Sequence, residues 1–215
     1  MNDPHSKQSS HLDRKDHDDH LKSTNQLSLQ IAQPMSFHHS LSVHFGNILG
    51  VDADCIVNAA NEGLLGGGGV DHLIHQVAGP ALAQFCFKLP VDSQGVRCSV
   101  GHSVITPGFM SKYKFIIHTV GPYLDEQGQI QPKLLADCYR TAFKLAIDHG
   151  CRSVVFPAIA TGFYGYPMLE AAQITIETLN SMLQQLETGI SINVCIAVFN
   201  DLEQQIWNSR FGENC

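Results

Sequence analysis

The chain has 215 residues, of which 44% are hydrophobic and 15% are charged, and its formal net charge is -7. This length allows one sizeable hydrophobic core or at most two small ones. The negative charge argues against binding along a nucleic acid backbone, which needs clustered lysine and arginine side chains. It does not exclude one nucleotide-like ligand, because a local nest of backbone N–H groups can hold a phosphate. No apolar segment has the length of a membrane span or of a signal-peptide core, so we expect no membrane association.

The 7 cysteines are odd in number and scattered, and no Cys-x-x-Cys pair occurs. A structural zinc site is therefore not expected. Several of the cysteines lie in apolar runs and are typical of small core residues. Free thiols indicate a reducing compartment, so we predict a cytoplasmic protein, or a nuclear one in a eukaryote.

Residues 1–26 are polar and nearly without apolar side chains. Such a segment cannot offset its ordering entropy by burial, so we predict a disordered tail over 1–26 and a single domain over 27–215. The tail mixes histidines with aspartates at irregular spacing, which favours a solvated segment over a metal site. Leu27–Ile31 alternates and predicts a short strand, and Leu41–Phe45 predicts the first secure one.

The most informative segment begins after the apolar run Cys55–Val57, which predicts a buried strand. Asn58 and Asn61 follow, then four glycines at 66–69, and then an amphipathic helix over 72–78. A glycine-rich loop that leads from a strand into a helix presents unpaired N–H groups and suits a phosphate. No Gly-Lys-Ser/Thr follows, so the loop is not a P-loop, and its spacing differs from the dinucleotide fingerprint.

Three polar side chains flank these glycines. Asn58 and Asn61 leave the predicted strand end, and an amide that donates and accepts suits a sugar hydroxyl. Asp71 is the acid that follows the glycines. The structural alternative makes the asparagines turn residues and Asp71 a helix-start acid. The full run of glycines with both asparagines favours a ligand site.

The rest of the chain alternates strands and helices. We predict helices over 81–87, 134–149, 167–186 and from Asn200 past Trp207, and strands over 103–106, 115–120, 153–156 and 192–199. His118 lies inside an apolar strand, where a structural histidine is favoured over a catalytic one. The pattern predicts a three-layer α/β/α domain around a mixed, mostly parallel sheet.

A second loop repeats the order of strand, glycine-bearing loop and helix. It runs from Pro157 to Pro167 and contains Thr161, Gly162, Phe163 and Tyr164. Two such loops at neighbouring strand ends can face each other across one phosphate-bearing ligand. An ordinary strand-to-helix turn with buried aromatic side chains is the structural alternative.

The run Asn58-Ala59-Ala60-Asn61 followed by Leu64-Leu65-Gly66-Gly67-Gly68-Gly69-Val70-Asp71 resembles the signature of macrodomains, which bind ADP-ribose. Within that family it is most similar to the branch that hydrolyses ADP-ribose esters. The segments Gly101–Ser103, Thr106–Gly108 and His118–Pro122 are also similar to macrodomain segments. The resemblance covers about residues 41 to 208.

The resemblance implies a set of site residues. Asn58 and Asn61 would hold the distal ribose, and Asp71 would orient or activate the water. His75 would either tune the acid or the ribose, or stand as an exposed bystander. The diphosphate and the distal ribose would lie against Gly66, Gly67, Gly68, Gly69, Val70, Thr161, Gly162, Phe163 and Tyr164. Asn47, Ile48 and Phe199 would lie at the adenine. Asn47 departs from the family, which has an aspartate there, because its carbonyl oxygen accepts without a charge.

The resemblance implies an ester hydrolase. Direct attack by water remains as its mechanism, because the sequence has no nucleophile motif and no metal cluster. By the resemblance, its substrates would be O-acetyl-ADP-ribose and proteins that carry mono-ADP-ribosyl esters on Asp or Glu, and no cofactor is expected. Two alternatives stay open: a module that binds ADP-ribose without cutting, and a phosphatase for ADP-ribose 1″-phosphate. The sequence leaves the oligomeric state open and is compatible with a monomer.

Overall fold

The computed structural model describes residues 38–212, with side chains described up to Arg210. The predicted tail over 1–26 and the predicted strand Leu27–Ile31 lie outside the described residues. No helix in the described part of the chain is long and apolar enough to cross a membrane.

Strands and helices alternate through the described residues. The strands are β1 (Ser40–Phe45), β2 (Cys55–Ala60), β3 (Ser103–Pro107), β4 (Phe115–Val120), β5 (Ser153–Pro157) and β6 (Asn193–Val198). The helices are α1 (Gly69–Ala78), α2 (Pro80–Phe87), α3 (Pro132–Asp148), α4 (Met168–Gln184) and α5 (Asp201–Gly212). A single 3-10 turn, Ile48–Gly50, follows β1.

The strands form one mixed sheet in the order β1-β6-β5-β2-β4-β3. Every pair is parallel except β3 with β4, which is antiparallel. Helices cover both faces, since one core cluster joins the sheet to α1 and α2 and the other joins it to α3, α4 and α5. The predicted three-layer architecture with a mostly parallel sheet is confirmed.

The two cores follow from the apolar spacing of the helices and from the buried central strands. Helix α3 buries Leu135, Cys138, Tyr139, Ala142 and Ala146 against one face of the sheet. Trp207 of α5 is fully buried in the same cluster. Both faces of β5 are covered, and the strand is buried and apolar from Val154 to Pro157, as expected for a parallel sheet between two helical layers. Five of the cysteines are buried small core residues, as predicted.

Strand β2 is longer than predicted and changes the position of Asn58. The strand continues to Ala60, and Asn58 pairs in register with His118 of β4. Its side chain is fully buried and shares a face of the sheet with Ile56 and Ala60, which pack toward α1. The sequence-based end at Val57 was wrong because a polar side chain inside a central strand mimics a strand end.

Helix α1 begins three residues earlier than predicted, at Gly69. Its N-cap residue is Gly68, which has no side chain to satisfy the N–H groups of the first turn. These groups therefore stay available for a ligand. The parallel strands β1, β2, β5 and β6 all end at the same edge of the sheet, so the loops that follow them converge there.

Candidate functional site

A cavity of about 1000 Å³ lies at this edge of the sheet, between the loops that follow β1, β2, β5 and β6. Most of the sequence-predicted site residues line it: Asn47, Ile48, Asn61, Gly67, Gly68, Gly69, Val70, Asp71, Thr161, Gly162, Phe163, Tyr164 and Phe199. Asn58, Gly66 and His75 do not line it but lie behind the residues that do. A volume of this size accommodates a ligand as large as a dinucleotide.

The glycine loop after β2 needs its glycines for two different reasons. Gly66 and Gly69 have φ angles of +94° and +60°, a region that side chains rarely allow. Gly67 allows a close approach, since a Cβ atom there would lie 2.9 Å from Oδ2 of Asp71. The loop is thereby folded tightly over the Asp71 carboxylate.

Asn61 holds this loop in shape. Its Oδ1 accepts hydrogen bonds from the N–H groups of Gly63 and Leu64 at 3.1 and 3.2 Å, and its Nδ2 donates to the carbonyl oxygen of Gly66 at 3.0 Å. One hydrogen of Nδ2 is left for the cavity, which Asn61 also lines. Asn61 therefore combines a structural role in the loop with a remaining donor for a ligand hydroxyl.

Unused backbone donors lie in two loops that line the cavity. Within the described residues, the N–H groups of Gly67 and Gly68 donate no hydrogen bond. The same holds for the N–H groups of Thr161, Gly162, Phe163 and Tyr164 in the loop after β5. Facing sets of free N–H groups form a site for an anion, and the positive end of the α1 dipole adds to it.

The loop after β5 is fixed by its own backbone. Ala160 adopts a φ of +66°, and its carbonyl oxygen accepts from the N–H of Tyr166 at 3.0 Å. The N–H of Gly165 donates to the carbonyl oxygen of Gly162 at 3.0 Å. These bonds tie down the far side of the loop and leave its cavity side free. A non-glycine residue in the left-handed region is typical of functional loops.

No lysine or arginine is found among the described residues that line the cavity. The charged groups that line it are the carboxylates of Asp71 and Glu203. An anionic ligand group must therefore be held by backbone N–H groups and not by cationic side chains. Such a site suits a diphosphate that lies between two loops better than an additional terminal phosphate monoester.

Asp71 is a buried carboxylate, with 3% of its surface exposed. Its Oδ1 accepts a hydrogen bond from Nδ2 of Asn58 at 2.6 Å and lies 3.4 Å from Nε2 of His75. Its Oδ2 has no hydrogen-bond partner among the described residues and faces Gly67. Burial raises the pKa of the Asp71 carboxyl above its ordinary value, and the hydrogen bond from Asn58 and the charges of His75 and His72 oppose that rise.

His75 stands one helical turn after Asp71 and is largely buried behind the glycine loop. A Cβ atom added at Gly66 would lie 3.7 Å from the imidazole ring, so the glycine loop packs against this ring. His75 is therefore not exposed, and its Nε2 makes no hydrogen bond within the described residues. A role in tuning Asp71 or the ribose stays a prediction.

Asn58 links Asp71 to the centre of the sheet. Its Nδ2 donates both to Asp71 and to Nδ1 of His118, the second bond being 3.0 Å long. Nε2 of His118 lies 3.2 Å from Oγ1 of Thr106. Because Nδ1 accepts from Asn58, the proton of a neutral His118 lies on Nε2 and points to Thr106. Asn58 thus contacts Asp71 and not the cavity, which differs from the predicted contact with a ribose.

His118 is fully buried and stays neutral. Burial, together with the charge on His75, lowers the pKa of His118 to about 3. The prediction of a structural histidine is thereby confirmed, and the histidine also fixes the orientation of the Asn58 amide. With both hydrogens of Nδ2 engaged, Asn58 presents a donor to Asp71, which matches an ionised carboxylate.

Three aromatic side chains border the cavity near the second loop. Tyr123 stacks on Tyr164 with ring centroids 3.7 Å apart and an interplanar angle of 28°. Phe163 is 96% exposed. Tyr123 was missed by the sequence reasoning, although it follows the His118–Pro122 segment directly. Its position in a loop without periodicity gave no signal beyond that adjacency.

The other end of the cavity is lined by Asn47, Phe199 and Glu203. These residues lie together because they follow the adjacent strands β1 and β6. The N–H of Gly46 donates to the carbonyl oxygen of Val198 and joins the two strand ends. Oδ1 of Asn47 accepts from the N–H of Leu49 at 3.0 Å and caps the 3-10 turn. Oε2 of Glu203 accepts from the N–H of Phe199 at 2.6 Å. Glu203 was not predicted; its signal is the spacing Asn200-x-x-Glu203, which is typical of a helix start.

Comparison with known proteins shows what this chain is similar to. The family model described as Macro domain matches residues 57–175. An O-acetyl-ADP-ribose deacetylase of Cronobacter turicensis is 48% identical over 143 residues, which cover 66% of this chain and 80% of that protein. A macro domain-containing protein of Chlorobaculum tepidum is 44% identical over 166 residues, which cover 77% of this chain and 92% of that protein. The crystal structure of a Trypanosoma brucei macrodomain in complex with ADP-ribose is similar with a TM-score of 0.70 and 34% identity, covering 80% of this chain and 69% of that one.

Proposed function

The chain belongs to the macrodomain family, and we propose that it binds ADP-ribose and hydrolyses esters of its distal ribose, releasing ADP-ribose and a carboxylic acid. The substrates are O-acetyl-ADP-ribose and proteins that carry a mono-ADP-ribosyl ester on an aspartate or glutamate side chain. Some similar proteins bear the name O-acetyl-ADP-ribose deacetylase and others only that of a macro domain-containing protein. The choice of reaction therefore depends on the chemistry of this site.

Binding is supported by the two facing sets of unused N–H groups, at Gly67 and Gly68 and at Thr161–Tyr164. A diphosphate between them would receive several backbone hydrogen bonds without requiring a cation. Its two ends then extend along the cavity in opposite directions, one toward Asp71 and the other toward Phe199. A ribose at the first end would meet Asp71 and the remaining hydrogen of Asn61 Nδ2.

One observation carries the proposed hydrolysis: the two oxygens of Asp71 have different surroundings. Oδ1 is held by Asn58, while Oδ2 is without a partner among the described residues and lies under the glycine loop. In the reaction Oδ2 takes a proton from a water molecule as that water attacks the acyl carbon. The bond between the acyl carbon and the ribose oxygen then breaks, and Asp71 passes the proton to that oxygen, which leaves as the ribose hydroxyl.

The free N–H groups of the glycine loop contribute a second element. The negative charge that develops on the acyl oxygen during attack needs fixed donors, and backbone N–H groups in a confined site provide them without reorganisation. The ligand's own phosphate lies beside the reacting ribose and can help to orient the water. A raised pKa suits Asp71 to this exchange of protons, since a general base works best when its pKa approaches the working pH.

A protein-linked ester is supported by the exposure of Phe163, which lines the cavity and is 96% exposed. The cavity is therefore open to solvent beside this residue. An acyl group at the distal ribose can extend outward and remain attached to a protein side chain.

The two alternative functions fit the site less well. A module that only binds ADP-ribose needs the N–H groups but not a buried carboxylate, which is costly to bury and repels an anionic ligand. A phosphatase for ADP-ribose 1″-phosphate needs to hold a further phosphate beside Asp71, and the described cavity residues include no lysine or arginine to do so.

Calorimetry with ADP-ribose and a release assay with O-acetyl-ADP-ribose test the proposal on the purified chain. Saturable binding of ADP-ribose together with catalytic release of acetate is expected. Tight binding without any release, from this ester or from an ADP-ribosylated glutamate, would favour the module that only binds. Faster turnover of ADP-ribose 1″-phosphate than of either ester would favour the phosphatase.

A further inference from the structure

The end of the cavity opposite Asp71 contains a carboxylate that the hydrolysis does not use. Glu203 lines this end together with Asn47, Ile48 and Phe199. If the diphosphate of the proposed ligand lies between the two loops and its distal ribose lies at Asp71, the base reaches this end. A role for Glu203 in recognising the base therefore rests on the proposed function.

The hydrogen-bonding groups at this end are set by the protein's own contacts. Oδ1 of Asn47 accepts a hydrogen bond from the N–H of Leu49. Because the amide nitrogen could not accept this bond, the orientation of the amide is fixed, and Nδ2 is the group left for a ligand. Asn47 thus offers the base a donor through Nδ2, while its oxygen already accepts a hydrogen bond from the protein.

Glu203 offers the opposite group. Its Oε2 accepts from the N–H of Phe199, and the N–H of Glu203 in turn donates to Oδ1 of Asn200 at 2.9 Å. These contacts fix the side chain at the start of α5 and resemble a reciprocal helix cap. Its second oxygen, Oε1, makes no hydrogen bond within the described residues and remains as an anionic acceptor in the cavity.

We propose that Glu203 determines which base the site accepts, because its free carboxylate oxygen accepts a hydrogen bond from an exocyclic amino group on the base. Adenine carries such a group at position 6. Hypoxanthine carries an oxygen at the same position, which would face the carboxylate oxygen without a proton between them. The ligand class is therefore a nucleoside diphosphate ribose whose base presents an amino group.

Because one oxygen of Glu203 accepts from the N–H of Phe199, the role of the other oxygen can be tested by Glu203→Gln. In Glu203→Gln the amide oxygen can keep accepting from the N–H of Phe199, so the helix start is preserved. The amide nitrogen then replaces the free carboxylate oxygen and presents a donor to the base. The substitution converts the acceptor into a donor with almost no change of shape, and it should reverse the choice of base.

The experiment compares affinities for ADP-ribose and for its hypoxanthine analogue, inosine diphosphate ribose, by calorimetry. The unsubstituted chain is expected to prefer ADP-ribose about tenfold, and Glu203→Gln is expected to prefer the hypoxanthine analogue. Glu177→Gln, the same substitution on α4 outside this cavity, is the matched control and should leave the ratio unchanged.

Equal affinities of the unsubstituted chain for both ligands would overturn the proposal, and this measurement needs no variant. An unchanged ratio in folded, binding-competent Glu203→Gln would overturn it as well. In both cases ADP-ribose is still bound, so the proposed function survives. If the unsubstituted chain bound neither ligand, that result would instead contradict both the proposed function and the role of Glu203.

Discussion

Nδ2 of Asn58 lies 2.6 Å from Oδ1 of Asp71, and the same nitrogen lies 3.0 Å from Nδ1 of His118. The relationship joins the first turn of α1, which lines the cavity, to two central strands of the sheet. It leaves one oxygen of Asp71 free and holds the other with a donor. The ionisation of Asp71 is thus balanced between burial, which raises its pKa, and this hydrogen bond, which lowers it.

The first prediction concerns the pH dependence of hydrolysis in Asn58→Leu. Leucine removes the hydrogen bond that lowers the pKa of Asp71, while burial still raises it, so the pKa of Asp71 rises further. Because the carboxylate form is the base, the acid limb of the pH–rate profile should move to higher pH, with partial recovery of the rate at high pH. Thr119→Val is the control, since it removes a buried hydroxyl that donates to the carbonyl oxygen of His102 and not to this network. An acid limb at the same pH in both variants would contradict the assigned role of Asn58.

The second prediction concerns His118 and the pH dependence of stability. Its pKa is about 3 in the folded chain and about 6.5 when unfolded, so the unfolded state binds the additional proton between these values. The free energy of unfolding should therefore decrease as the pH falls from 6.5 toward 3, with His118 contributing about 1.4 kcal/mol per pH unit. NMR of the imidazole nitrogens gives the direct measurement. A neutral ring with its proton on Nε2 throughout this range is expected, and titration near pH 6.5 would show that the ring is not held as described.

The third prediction concerns the N–H groups of the two loops. Gly68 and Gly162 have ordinary φ angles, and apart from the adjacent residues in the chain no atom lies within 4 Å of a Cβ atom added at either position. Gly68→Val and Gly162→Glu should therefore fold normally while bulk or charge enters the anion site and abolishes ADP-ribose affinity. Gly50→Val is the matched control, because its added Cβ also meets nothing within 4 Å and Gly50 does not line the cavity. If a folded Gly68→Val protein retained its affinity for ADP-ribose, the diphosphate would not bind at this loop.

The fourth prediction couples Asn47 to Glu203. In Asn47→Asp one oxygen can keep accepting from the N–H of Leu49 while the other becomes an acceptor for the base. In the unsubstituted background the gain for ADP-ribose should be small, since Glu203 already supplies an acceptor and repels a second carboxylate. In the Glu203→Gln background the gain should be about tenfold, the scale of a charged over a neutral hydrogen bond. Equal gains in both backgrounds would show that the two positions do not share the base.

Much of the fold could be predicted from the sequence because its elements are strongly periodic. The bounds of β4, Phe115–Val120, match the apolar run, and α3 follows from its apolar spacing. The end of β2 could not be predicted, because Asn58 is a polar residue whose partners, Asp71 and His118, lie far away in sequence. Only the three-dimensional contact separates a buried amide in a strand from a turn residue.

The candidate site shows the same division. The loops could be predicted because glycine runs between a strand and a helix have a backbone cause that the sequence displays directly. The acceptor at Glu203 could not, since it depends on the adjacency of β1 and β6 and on a cap contact with Phe199. The different surroundings of the two oxygens of Asp71 likewise have no sequence signal.

The central claim is that Asp71 serves the attacking water and not the fold or the binding of ADP-ribose. The most direct test measures acetate release from O-acetyl-ADP-ribose by the unsubstituted chain and by Asp71→Ala, together with the ADP-ribose affinity of both. Hydrolysis should fall by about 10² to 10⁴, the usual contribution of a positioned acid–base group, while affinity stays within about tenfold. Undiminished release by a folded Asp71→Ala protein would contradict the account and remove Asp71 from the mechanism.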